Sequence, residues 1–174
     1  MEEFLIMTHC KKPSWLGLAI WLLSAAPVLA QVDLTLTAAP GTVTLGPGQT
    51  GAGWFFDGQL PGPVIRVTEG ELLRVRFVNL LPEESTVHWH GLPVPAGMDG
   101  VPGVSRPPVA PGQEFTYEFV AQPAGTYWFH PHVGLQLDRG LYGVLIIDPA
   151  GAGDPPFDAE HTIVLDDWLA GPPI

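Results

Sequence analysis

The stretch LPGPVIRVTEGELLRVRFVN, Leu60 to Asn79, decides the fold class. It opens on the turn Leu60-Pro61-Gly62-Pro63 and continues into the short apolar run Val64 to Val67. Leu73, Val75 and Phe77 then alternate with Arg74, Arg76 and Val78. Strict alternation puts the first three on one face and marks a half-buried strand.

The same pattern extends in both directions. Val32, Leu34 and Leu36 alternate with Asp33 and Thr35, and Thr42 to Leu45 follows after Pro40-Gly41. Gly53 to Phe56 is a short aromatic run, and Val87 to His90 a further candidate. Phe115, Tyr117 and Phe119 alternate with Thr116, Glu118 and Val120; Thr126 to His130 and Gly143 to Ile147 complete the set. About nine strands at turn-like spacing, with no convincing amphipathic helix, predict an all-β sandwich or barrel.

Composition agrees. The chain has 174 residues, 46% hydrophobic and 14% charged, with 21 Gly and 20 Pro to punctuate it. That is too apolar for a disordered chain. The net charge of -11, with only 7 Lys and Arg, leaves no basic footprint for a nucleic acid.

The first thirty residues read as a secretory signal peptide. Lys11 and Lys12 precede the apolar run Trp15 to Ala26; Pro27 breaks it, and Val28-Leu29-Ala30 supplies a cleavage pattern before Gln31. The run is shorter than the roughly 20 residues a membrane span needs, so no stable span is expected once the leader is removed. The expected location is secreted or periplasmic. The single cysteine, Cys10, leaves with the leader, so disulfides are excluded from the mature chain. About 144 residues remain, enough for a sizeable core without staples.

The chemistry lies in histidine. His88-Trp89-His90 and His130-Pro131-His132 are two pairs of identical spacing. Residues i and i+2 of a strand share a face, so each pair offers two imidazoles about 7 Å apart at the backbone. One such pair is weak evidence; two in one short domain are hard to assign to packing. Imidazole suits Zn, Cu, Fe and Ni, and the affinity order of the divalent ions favours copper. One ion or several, and a shared or a divided site, both fit the spacing. Asp99 fits equally a turn before Gly100 and a carboxylate relay beside a metal. His161 stands outside any pair and reads as a surface residue.

TVHWHG at Thr86 to Gly91, MDGVPG at Met98 to Gly103 and TYWFHPHVGLQLDRGLYGVLII at Thr126 to Ile147, together with Leu60 to Asn79, resemble the first domain of laccase-type multicopper oxidases. The likeness runs from about Leu34 to the end of the chain. It implies a cupredoxin-like Greek-key β-barrel over residues 31–150. It also implies a copper cofactor, in a trinuclear cluster between the first and last cupredoxin domains that reduces O2 to water. Each of the two domains contributes two His-x-His pairs. On this resemblance His88 binds the type-2 copper, His90 and His130 share one type-3 copper, and His132 binds the other. Asp99 falls where relatives keep an acidic residue thought to help deliver protons.

Other features bound that reading. A blue-copper site needs a Cys thiolate with two His, and the mature chain has no Cys. Half a ligand set leaves each copper under-coordinated, so this chain alone is expected to show no oxidase turnover. Its partner would be the C-terminal cupredoxin domain of the full-length protein or of another subunit. Residues 151–174 read as a linker and the first strand, from Thr162 to Leu165, of a truncated second cupredoxin domain. A non-enzymatic extracytoplasmic copper carrier, complete as it stands, is the alternative.

Overall fold

The computed structural model describes residues 30–151 and 157–167. The leader read at residues 1–30, apart from Ala30, lies outside them, as do parts of the linker and the last seven residues. Eight strands form: β1 (Gln31–Gly46), β2 (Gln49–Phe56), β3 (Val64–Thr68), β4 (Leu72–Asn79), β5 (His88–His90), β6 (Glu114–Val120), β7 (Gly125–His130) and β8 (Gly143–Asp148). One 3-10 turn, Ala96–Met98, is the only helical element among the described residues. No helix among them is long and apolar enough to cross a membrane.

The strands make two four-stranded sheets, ordered β2-β1-β4-β6 and β3-β8-β7-β5. Both mix parallel and antiparallel pairs: β1 runs parallel to β4 and β3 parallel to β8, and the remaining pairs are antiparallel. Their inner faces meet in one core. Leu36, Leu73, Val75, Phe77, Tyr117 and Phe119 come from the first sheet, and Ile65, Val67, Trp89, Phe129, Leu145 and Ile147 from the second. The all-β sandwich that the alternation predicts is therefore the observed architecture.

One expectation fails. Pro40-Gly41 does not separate two strands; β1 runs through both and changes partner instead. Residues 31–38 pair with β4, and residues from Ala38 onward pair with β2. Proline is tolerated because of its register. Opposite Pro40 sits Trp54, whose N–H turns away from β1 to the Arg139 carbonyl at 2.9 Å. That makes Pro40–Trp54 a non-hydrogen-bonded pair, so the missing proline N–H breaks no ladder bond. Two expected strands thereby become one, and nine become eight.

β5 has only three residues, too few to be stable by ladder alone. Its central side chain holds it. Trp89 is fully buried, with its ring 5.8 Å from Tyr117, 5.0 Å from Phe119 and 5.5 Å from Phe129. A buried Trp of this kind contributes on the order of 3–5 kcal/mol. Because Trp89 and its register partner Phe129 point inward, their neighbours His88, His90, Trp128 and His130 point to the outer face of the sheet.

β8 lies between β3 and β7 and is buried on both faces from Gly143 to Ile147, as its unbroken apolar run suggests. Residues 157–167 return along its outer side. Arg66 bonds Glu160 at 2.7 Å and the Tyr142 hydroxyl donates to Asp166 at 2.7 Å. Thr162 to Leu165, read from the sequence as a strand, lies there without a ladder, with Ile163 and Leu165 largely exposed.

The β7–β8 contact depends on a missing side chain. Phe129 is paired with Gly143, and a Cβ on Gly143 would lie 2.3 Å from the Phe129 ring. Gly143→Ala is expected to lower stability by about 1–3 kcal/mol through overpacking. Urea denaturation measures it; an unchanged midpoint would contradict the packing described.

Candidate metal centre

β5 and β7 run antiparallel with His88 opposite His130, Trp89 opposite Phe129 and His90 opposite Trp128. This register brings the two histidine pairs onto one end of one face. All four rings cluster. His88 lies 5.6 Å from His90, 5.5 Å from His130 and 4.6 Å from His132, centroid to centroid. His130 lies 5.5 Å from His90 and 5.0 Å from His132. Ligand nitrogens of His88, His90 and His130 all fall within 4.8 Å of one another; His132 is outside that trio.

Proton placement aims the rings. His88 Nδ1 lies 2.8 Å from the Asp99 carbonyl oxygen and 3.1 Å from its carboxylate. It therefore carries the proton and leaves Nε2 bare. His130 Nδ1 donates to the Pro131 carbonyl at 2.9 Å, again leaving Nε2 bare. Such second contacts fix the tautomer of a ligating histidine. His130 Nε2 faces His90 Nδ1 at 3.2 Å. Without an ion His90 donates to His130; an ion taking both nitrogens requires His90 to carry its proton on Nε2 instead. Two ligands at roughly 2 Å from one ion can sit at that separation. The donor set, neutral imidazoles alone, suits copper.

Packing holds the rings in place. Trp128 stacks on His130 at 4.2 Å and 24°, and on His90 at 4.7 Å and 27°. Burial pushes the His130 pKa down to about 4; repulsion from the neighbouring histidines adds to this, and the Pro131 carbonyl opposes it. His132 is lowered as well, chiefly by burial and then by His88. Both are therefore neutral and ready to coordinate at neutral pH.

Asp99 is positioned by the glycine after it. Gly100 has φ +73°, and a Cβ there would lie 1.9 Å from the Val87 carbonyl oxygen. The Met98-Asp99-Gly100 turn thus abuts the backbone that leads into β5. Asp99 lies in a turn and also contacts His88, so neither reading of it excludes the other. The Met98 sulfur instead accepts the Glu118 N–H at 3.4 Å, tying the turn to β6. Arg139 lies against Trp54, 4.3 Å above the ring, and pairs with Glu83 at 3.5 Å. His161 is exposed.

Sequence reading missed Trp128, Gly100, Thr86 and Gln136. Trp128 is detectable by period-2 counting back from His130. The other three depend on contacts across the fold.

Two mixed sheets packed face to face, with a histidine cluster on one outer face, define a metal-binding domain of cupredoxin type. Comparison with known proteins makes this specific: the multicopper oxidase family model matches residues 37–152. The chain belongs to the multicopper oxidase family, which uses copper, and its histidine cluster is compatible with that metal. It is 38% identical over 162 residues to copper resistance protein A of Escherichia coli, covering 87% of this chain and 26% of that protein. It is 43% identical over 142 residues to multicopper oxidase MmcO of Mycobacterium tuberculosis, covering 80% and 27%. Among solved structures, a multicopper oxidase from Pseudomonas thermotolerans superimposes with TM-score 0.69 and 44% identity, over 71% of this chain and 31% of that one. The chain spans about a quarter of the length of these curated relatives.

Two outcomes follow from the geometry. A histidine with a depressed folded pKa contributes stability that is complete above its unfolded value, near 6.5, and lost as pH falls through its folded value. The metal-free chain is expected to lose stability progressively from about pH 6.5 to about pH 4. His130→Asn should remove much of that slope in urea midpoints, and an unaltered slope would refute the assignment. Gly100→Ala combines a disfavoured φ with a backbone clash and is expected to cost about 2–4 kcal/mol. Thermal unfolding near the wild-type temperature would contradict the close approach.

Proposed function

We propose that this chain is the first cupredoxin domain, residues 31–150, of an extracytoplasmic copper oxidase, and that it supplies half the ligands of a trinuclear oxygen-reducing centre. Residues 1–30 are its secretion leader, and residues 151–174 lead into a second cupredoxin domain. The observation that carries the reading is the convergence of both His-x-His pairs on one outer face, with His90 Nδ1 and His130 Nε2 3.2 Å apart.

Each residue has a part. His90 and His130 would hold one copper between them, which the 3.2 Å spacing favours. His88 offers Nε2 to a second copper, and His132, outside the close trio, to a third. Copper, when bound, supplies one-electron redox chemistry with O2 as the final acceptor. Reduction of O2 to water consumes protons as well as electrons. The Asp99 carboxylate, 3.1 Å from His88 Nδ1 and with 31% of its side chain exposed, can take a proton from solvent and hold it beside the cluster. Trp128, stacked on two rings, keeps them from turning.

The remaining ligands come from a C-terminal cupredoxin domain, in the same polypeptide or in another subunit. The chain's share of its relatives' length, about a quarter, leaves room for such a domain. The reducing substrate would bind in that remaining part.

Titration of the chain with Cu(II), followed by electron spin resonance, tests this. Loose or substoichiometric uptake is expected, weakened in His90→Ala and His130→Ala, with no oxygen consumption by the chain alone. Oxygen uptake should appear only when a domain carrying the complementary histidine pairs is supplied. One tetragonal signal saturating tightly at a single equivalent would favour a copper carrier instead.

A further inference from the structure

The β5–β7 ladder stops at His88–His130, yet His132 lies beyond it. Pro131 intervenes and has no N–H to extend the pairing. Continued outward, the register that sets His88 against His130 places Thr86 opposite His132. At that place the Thr86 side chain takes over: the His132 N–H donates to Thr86 Oγ1 at 3.0 Å. Thr86 is fully buried, so water does not compete for this contact.

The neighbouring residue makes a second tie. Ser85, also fully buried, donates through Oγ to Gln136 Oε1 at 2.7 Å, and Gln136 Nε2 donates to the Glu84 carbonyl at 2.8 Å. Gln136 sits in the loop after His132 and is itself almost completely buried. The far side of the same segment is tied as well, because Val87 N–H donates to the Tyr117 hydroxyl at 2.8 Å. Buried polar side chains are costly unless paired, so Ser85, Thr86 and Gln136, all buried and all paired between these two segments, mark a device rather than packing.

We propose that Thr86 is a positioning residue for the copper centre, its hydroxyl setting His132 relative to His88 and His90 across the point where Pro131 ends the ladder, with Ser85–Gln136 bracing the same loop. This rests on the copper-oxidase reading above, since Thr86 has this role only if His132 is a ligand. In this role Thr86 is not itself a ligand. It acts on His132 through the backbone N–H rather than the ring; loss of an outer contact to a ligating histidine typically weakens metal affinity 10–100-fold.

The test compares Cu(II) binding by the full chain in wild type, Thr86→Val, Thr86→Ser and His132→Ala. The readouts are electron spin resonance and quenching of tryptophan fluorescence. Thr86→Val keeps the shape and removes the acceptor; Thr86→Ser keeps the acceptor. Thr86→Val is expected to weaken copper binding about tenfold or more, approaching His132→Ala, and to alter the copper hyperfine pattern. Thr86→Ser should stay within about threefold of wild type. Hydrogen exchange at the His132 amide, measured without metal, should speed up in Thr86→Val and not in Thr86→Ser. Urea unfolding reports whether each variant is folded; should Thr86→Val not fold, Gln136→Leu, which loosens the same loop, takes its place with the same expected weakening. Wild-type affinity and hyperfine pattern in Thr86→Val, while His132→Ala binds more weakly, would overturn the positioning role alone. Wild-type binding in His132→Ala would overturn the ligand assignment, and the role of Thr86 with it.

Discussion

Everything at the candidate site depends on one register: three antiparallel pairs between β5 and β7 with His88 directly opposite His130. A slip of one residue in either strand would turn that strand's histidines into the core and its central aromatic, Trp89 or Phe129, out to solvent. The core forbids it. Trp89 and Phe129 are both fully buried and pack 5.5 Å apart, against Tyr117 and Phe119 from the other sheet. The hydrophobic energy of two large aromatic rings thus fixes the facing of three imidazoles, those of His88, His90 and His130. The stable inner face and the chemical outer face are two sides of the same six residues.

Around that register the chain places small, specific supports. Gly100 lets the Asp99 turn approach the Val87 carbonyl so closely that no side chain would fit. That approach puts two oxygen acceptors at His88 Nδ1. Pro131 ends the ladder, and its carbonyl takes the His130 Nδ1 proton. Each support sets a tautomer or a ring direction, and each comes from a turn or a strand end, where the backbone has groups to spare. Pre-set tautomers matter because a ligand nitrogen must present a lone pair before an ion arrives.

Much of this is legible in the sequence. Period-2 alternation from Leu73 to Val78 and from Phe115 to Val120 gives strands that the structure contains. The two His-x-His pairs follow from the same period, as does the inward turn of Trp89. What is not legible depends on partners distant in sequence. Pro40-Gly41 looks like a strand break because local propensity is blind to register; only the non-hydrogen-bonded place opposite Trp54 makes proline harmless. Thr86 and Gln136 look like ordinary polar residues until the fold buries Thr86 against His132 and Gln136, in the loop after His132, against Ser85. Thr162 to Leu165 has a strand's composition, but composition does not supply a neighbour to pair with.

The outer-face location has a physical consequence for how a shared site can be built. Histidines turned inward would be sealed by the other sheet, and no ligand from elsewhere could reach an ion held among them. Turned outward, they keep nitrogens accessible while Trp89 and Phe129 make the surface beneath them rigid. Rigidity matters more than usual when half the ligands come from another domain. Each half must hold its geometry unaided, because the ion cannot organise both halves at once without an entropic cost. The Trp128 stack and the buried hydroxyl ties do this without occupying coordination positions. Under the proposed function, the polar devices behind His88, His130 and His132 are therefore what allow two separately folded domains to meet in one centre.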